Sequence, residues 1–189
     1  MTIALLTEDG PSGEAIRILA EKCLTKIGRS SKIIRRSINR GDIFTNPRKL
    51  AALVKQVNVK EQTKIIVCVD SECTDPKLTE SNLQSAKKAL SELNVVVDFI
   101  IVVHALETWL AAADEALRAV IKPKIQIKVP GNLETACRPE SILKEIYRKH
   151  GKGDFNKSRD DIIIANHADP ARIAKRCSSF RKFQQLLLS

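Results

Sequence analysis

The run Lys64-Ile-Ile-Val-Cys-Val69, followed at once by Asp70-Ser71-Glu72, constrains the chain most. A short segment of β-branched and apolar residues with no polar alternation reads as a strand buried on both faces, which is the situation inside a parallel sheet. Such a sheet needs helices on both sides, and the rest of the chain supplies them. Ile3 to Leu6 predicts a first strand, Glu14 to Ile27 a helix, Lys32 to Ile38 a second strand, and Asn39 to Pro47 a loop. Pro47 to Val57 reads as a helix, Thr79 to Leu93 as another, Val95 to Val103 as a buried strand, and Glu107 to Ile121 as the helix after it. Strands alternating with helices of this length give an α/β class with a Rossmann-like, mainly parallel sheet flanked by helices.

Beyond Pro123 the alternation stops. Ile125 to Val129 is expected to form a short edge strand, Pro139 to His150 a helix, and Asp169 to Leu188 two short helices separated near Cys177. With 189 residues, 43% of them hydrophobic, one domain can fill a core. The expectation is a single domain over 1–189, with the α/β core at about 1–130 and a helical C-terminal cover at about 131–189.

Charge is uneven. Between Arg17 and Lys60 there are twelve basic residues against Glu21 and Asp42. A local positive field of this kind suits a phosphate backbone, and Arg35, Arg36, Arg40, Arg48 and Lys49 are the candidate contacts to nucleic acid; the other reading is a solvated basic surface. The five cysteines are odd in number and show no CxxC spacing, so free thiols in a reducing cytoplasm are expected. The N-terminus has no signal-peptide pattern, and the apolar stretch from Val95 to Ala113 carries Asp98, His104 and Glu107, so no membrane span is expected.

In an open parallel sheet, functional groups collect beyond the carboxyl ends of the strands. Glu8 and Asp9 follow the first strand, Asp70 and Glu72 the central one, and Glu107 lies just after the last. Carboxylates spaced i and i+2 at a strand end offer hard oxygen donors to Mg²⁺ or Mn²⁺, although acids in such places also cap helices. His104 is the histidine nearest this edge. Trp109, on an apolar helix, reads as core in preference to a base-stacking platform. No Gly-rich nucleotide loop of the GxGxxG or GxxxxGK[ST] type is present.

The segments LLTEDGPSGEAIRILAEKCL, KIIVCVDSEC and FIIVVHALETWLAAADEAL together resemble the Toprim superfamily, and within it an uncharacterised Toprim-like family related to the nuclease domain of the OLD (overcoming lysogenization defect) proteins. The closing Ser179-Phe180 and Phe183 are similar to a C-terminal Ser-Phe-x-x-Phe pattern of that family. The resemblance implies a Toprim fold in which Glu8 is a general acid/base and Asp70 with Glu72 holds Mg²⁺ or Mn²⁺. From its place after the last strand Glu107 is the candidate ligand of a second metal, and Asp9 and His104, near the same edge, are accessory candidates. Two departures stand out: Glu72 replaces the usual second Asp, and Asp9 replaces the Gly that often follows the Glu. The implied activity is metal-dependent phosphodiester chemistry on DNA or RNA. The alternative is a Toprim module without turnover that binds nucleic acid or regulates a defence or repair assembly, as a homo-oligomer or with a partner protein.

Overall fold

The computed structural model describes residues 2–8, 10–58, 63–93, 95–122 and 126–189. Four strands, β1 (Thr2–Thr7), β2 (Lys32–Ser37), β3 (Thr63–Asp70) and β4 (Val97–Val102), form one all-parallel sheet in the order β2-β1-β3-β4. The chain is α/β with a Rossmann-like sheet flanked by helices, as the alternation of β-branched runs and helical periods requires. From β1 the chain moves outward to β2, and from β3 it moves outward the other way to β4, so the switch in winding direction falls between β1 and β3. A crevice opens outside the carboxyl ends of the strands at such a point. Glu8 and Asp70 stand there.

Side-chain alternation divides the interior into two cores. Ile3, Leu5, Ile66, Cys68, Ile100 and Val102 face α1 (Gly10–Lys26) and the C-terminal helices. Ala4, Leu6, Ile65, Val67 and Val69 face α2 (Arg40–Phe44), α3 (Pro47–Val57) and α5 (Gln84–Ser91). β3 contributes fully buried residues to both, which is why its sequence shows no polar alternation.

Several elements differ from expectation. The segment read as a loop after β2 contains α2. The helix expected over 79–93 is two, α4 (Pro76–Asn82) and α5, joined at Leu83. That expected over 107–121 is also two, α6 (Leu106–Ala112) and α7 (Asp114–Ile121), because Ala113 leaves helical geometry at φ −85°, ψ 61°. Residues 126–129 form no strand; 123–125 lie outside the described residues.

The C-terminal third is helical throughout: α8 (Pro139–Lys149), α9 (Lys157–His167), α10 (Pro170–Arg176) and α11 (Ser178–Leu188), the last two meeting at Cys177 as expected. Its apolar side chains join the core of the α1 face, so the cover shares one interior with the sheet. α1 and the turn after it hold it by polar contacts as well: Lys22 Nζ donates to the Asn166 and Ala168 carbonyls, Lys26 pairs with Asp169, and Arg29, past the end of α1, donates to the Leu188 carbonyl. Trp109 of α6 is fully buried, edge-on to Phe180 at 4.9 Å and stacked on Phe183 at 5.3 Å, with its Nε1–H donated to Ser179 Oγ. The Ser-Phe-x-x-Phe pattern is therefore a packing motif.

Sequence spacing did not anticipate that Cys73 and Cys137 form a disulfide, which corrects the expectation of five free thiols. They are 64 positions apart and meet only because the loop after β3 and the segment before α8 converge over the sheet edge. Cys23, Cys68 and Cys177 are free and buried. Among the described residues no helix is long and apolar enough to cross a membrane.

The turn from β1 into α1 brings helix and strand unusually close. A Cβ on Gly13 would lie 2.1 Å from Thr7 Oγ1 and 3.0 Å from Arg35 Nη1. Gly13→Ala should therefore destabilise by about 1–3 kcal/mol, outweighing the roughly 1 kcal/mol that alanine gains in a helix. Adding Thr7→Ala should recover much of the loss in urea unfolding. A single Gly13→Ala variant as stable as wild type would contradict this close approach.

Candidate functional site

Two groups of residues meet along the carboxyl edge of the sheet, and Glu72 belongs to both. The first is built where β1 and β3 end side by side. Glu8 Oε1 accepts the Asp70 backbone N–H at 2.8 Å and Arg40 Nη1–H at 3.0 Å. Arg40, the first residue of α2, also donates to the Asp70 carbonyl, and its Nε lies 3.3 Å from Glu72 Oε2. The guanidinium packs 4.9 Å from the centre of the Phe44 ring. A single planar cation thus gathers two carboxylates and a carbonyl from two strand ends, a task for which its fork of donors is suited.

Burial of Glu8 raises its pKa above the ordinary carboxylate value; the Arg40 charge and the Asp70 N–H oppose the shift without cancelling it, and the Glu72 charge adds to it. The nearby Cys68 thiol is pushed up chiefly by burial, then by the charges of Asp70 and Glu8. All three groups therefore share one electrostatic neighbourhood.

The second group surrounds a cavity of about 320 Å³ beyond β3 and β4. Ser71 N–H donates to the Val102 carbonyl, Glu72 N–H to the His104 carbonyl, and His104 N–H to Ser71 Oγ, locking the two loops together. Glu72, Cys73, His104 and Arg138 all line this cavity, and all hold left-handed backbone, with φ of 45°, 65°, 62° and 70°. Among the described residues the one other non-glycine with positive φ is Lys122. Left-handed backbone at residues with a Cβ is costly and persists where its surroundings over-determine it, commonly at functional sites.

Glu107 lies at the inner wall of this cavity, 1% exposed, and Lys157 Nζ from the first turn of α9 is 3.0 Å from its Oε1. The two form an ion pair across the cavity wall. His104 Nε2 donates to the Glu134 carbonyl at 3.0 Å, and its buried Nδ1 has no hydrogen-bond partner among the described residues. Glu134 itself accepts from Ser178 and Ser179 at the start of α11. Burial works to raise its pKa, but these hydrogen bonds prevail and hold it below the usual value.

The basic residues do not form one patch. Arg40 is engaged with the acids, and Arg35 lies 3.8 Å from Glu14 on the α1 side of the sheet. Arg36, exposed on the opposite face, borders a recess shared with Lys32 and Gln56. Arg48 is exposed, and Lys49 pairs with Asp42 at 2.8 Å. Asp9 lies outside the described residues.

Three residues of this edge escaped sequence reading: Arg138, Lys157 and Asp161. Asp161 is fully buried on α9 and accepts from Ser12 Oγ, in the first turn of α1, at 3.3 Å. The signal lay in Lys157-Ser-Arg-Asp-Asp161, where i and i+4 place a cation and an acid on one face of a helix that then turns apolar.

Residues 15–188 match the family model of a domain of unknown function, DUF4276. The chain belongs to the DUF4276 family. No curated protein and no solved structure matches it. The DUF4276 match takes in Arg40, Asp70, Glu72, His104, Glu107 and Lys157, while Glu8 precedes the first matched residue.

The edge of this DUF4276 chain offers carboxylate and carbonyl oxygens, the donor chemistry that Mg²⁺ or Mn²⁺ takes. Among the described residues no group of three or more His, Cys, Asp or Glu side chains stands where one ion could be held. Arg40 is the cation these oxygens hold, so the donors fit by type and the arrangement is an ion-pair network.

Proposed function

We propose that the chain carries out Mg²⁺- or Mn²⁺-dependent phosphodiester chemistry on nucleic acid, as a Toprim-type nuclease. The observation that supports this reading is the meeting of Glu8, Asp70 and Glu72 at the winding switch between β1 and β3, where an open parallel sheet presents its ligand crevice. Asp70 and Glu72 are the proposed metal ligands, and Glu107 joins them only if Lys157 releases it. The ion would neutralise phosphate charge and activate water.

The chain's own residues do the rest. Glu8, with its pKa raised by burial, keeps a larger protonated fraction near neutral pH than an ordinary glutamate, so a carboxyl oxygen can give a proton to a leaving oxygen or take one from an attacking water. Arg40 holds Glu8 and Glu72 in register. Arg36, Arg48 and Lys49 are the proposed backbone-phosphate contacts, supported by their exposure on the α2–α3 side.

A second reading, a nucleic-acid-binding or regulatory module without turnover, is favoured by one observation: Arg40 already pairs with Glu72, one of the proposed metal ligands, and with Glu8. One experiment separates the two. Wild type and Asp70→Asn are melted with and without Mn²⁺ beside a cleavage assay on single- and double-stranded DNA and RNA. The nuclease reading expects a Mn²⁺-induced rise in Tm and metal-dependent cleavage in wild type, both lost in the variant. An equal Mn²⁺ response in both proteins removes Asp70 from the site, and salt-sensitive nucleic-acid binding without any cleavage establishes the second reading.

A further inference from the structure

We infer that the Cys73–Cys137 pair is a thiol–disulfide exchange site that clamps the two strained lips of the cavity beside β4. One lip is Glu72-Cys73 and the other is the segment running from Cys137 through Arg138 into α8. Three of the four left-handed residues around the cavity are these cysteines' own positions or immediate neighbours: Glu72, Cys73 and Arg138. The cross-link is the covalent constraint between the lips, and strained backbone relaxes when what over-determines it is removed. The inference stands on this geometry and does not depend on the phosphodiesterase reading.

The distribution of the cysteines supports exchange at this pair alone. Cys73 and Cys137 are both exposed, within reach of an attacking thiolate. The three free thiols are buried, and burial pushes the pKa of Cys23 and of Cys177 up to about 12 and that of Cys68 higher still, so they neither attack this bond nor report on it.

The reaction balances against a small dithiol. One reductant thiolate attacks a sulfur of the pair, the S–S bond breaks with its electron pair on the other sulfur, and that sulfur takes a proton. The second reductant thiol resolves the mixed disulfide. In total two electrons and two protons pass to Cys73 and Cys137, and the dithiol leaves as its own disulfide. The lips then part, and Glu72 and Arg138 lose their fixed positions at the cavity mouth.

The test uses the whole chain, prepared without reductant and then treated with dithiothreitol. Alkylation followed by peptide mass analysis should label no cysteine before reduction and Cys73 and Cys137 alone after it, the protein remaining folded. Amide exchange should become about tenfold faster over 72–74 and 137–141 and stay unchanged in β1 and β3. Reoxidation should restore the slow rates. A Cys73→Ser variant should show the fast rates from the start and no response to dithiothreitol; if it fails to fold, the reversible reduction of wild type carries the test. Two fast-reacting thiols at Cys73 and Cys137 before any reductant would overturn the inference. So would reduction that leaves exchange at both lips unchanged, since the bond would then be a staple with no bearing on the cavity.

Discussion

Glu8→Gln should, on the proposed nuclease reading, lower metal-dependent cleavage by about 10²- to 10⁴-fold, the usual contribution of a general acid/base, while its stability gains on that of wild type as pH rises. The variant keeps an oxygen that can accept the Asp70 N–H, and loses both the titration and the negative charge that pairs with Arg40. In the folded chain the Glu8 pKa stands above its ordinary value of 4.5, because burial outweighs Arg40 and the Asp70 N–H. The folded state therefore holds this proton more tightly than the unfolded chain does. That contribution is complete below the unfolded pKa and disappears as pH rises through the folded one. The difference in Tm should move in favour of Glu8→Gln as pH rises from about 4 to 8. A difference independent of pH would show that burial does not govern Glu8, and cleavage retained by the variant would remove it from the chemistry.

Trp109→Ala should cost about 3–5 kcal/mol, the range for deleting a fully buried aromatic residue. For a chain of this size that corresponds to a fall in Tm of roughly 6–20 °C. The indole is enclosed by Phe180 and Phe183 and bonded to Ser179, so the loss joins α6 and α11 in one event. Trp109→Phe should cost about 1–3 kcal/mol, chiefly because the Ser179 hydroxyl is left without its partner. If the proposed nucleic-acid binding holds, the folded Phe variant should bind as wild type does, since the ring has no exposed face. A folded Trp109→Phe protein that no longer binds would contradict a purely structural role. Urea unfolding followed by circular dichroism measures both variants.

What the sequence revealed was what short-range physics encodes. The uninterrupted apolar run of β3 required a sheet covered on both faces, and the acids after β1 and β3 fell at the edge where an open sheet places its ligands. Pairings made across long stretches of chain were not legible. Nothing local in Arg40 marks it as the partner of Glu8 and Glu72, because its position in a basic segment reads equally well as a phosphate contact. Lys157 reaches Glu107, and Asp161 reaches Ser12, only after the cover folds back over α1. The Cys73–Cys137 bond has the same origin. α9 was missed for a different reason: its apolar residues are split between partly and fully buried positions, so no single stripe announces it.

The embrace of α1 by the C-terminal helices has a consequence for synthesis. α1 buries Ala15, Ile16, Leu19 and Cys23 in the core completed by residues as late as Leu187, and its Lys22 and Lys26, with Arg29 just beyond it, wait for partners between Asn166 and Leu188. A ribosome adding 5–20 residues per second would deliver α9 roughly 5–30 s after α1 has emerged. Throughout that interval the nascent helix displays an apolar stripe that its own end of the chain cannot cover. β1 and β3 can pair meanwhile, but the face of the half-built sheet that α1 packs on stays incompletely covered, a surface to which neighbouring nascent chains can adhere.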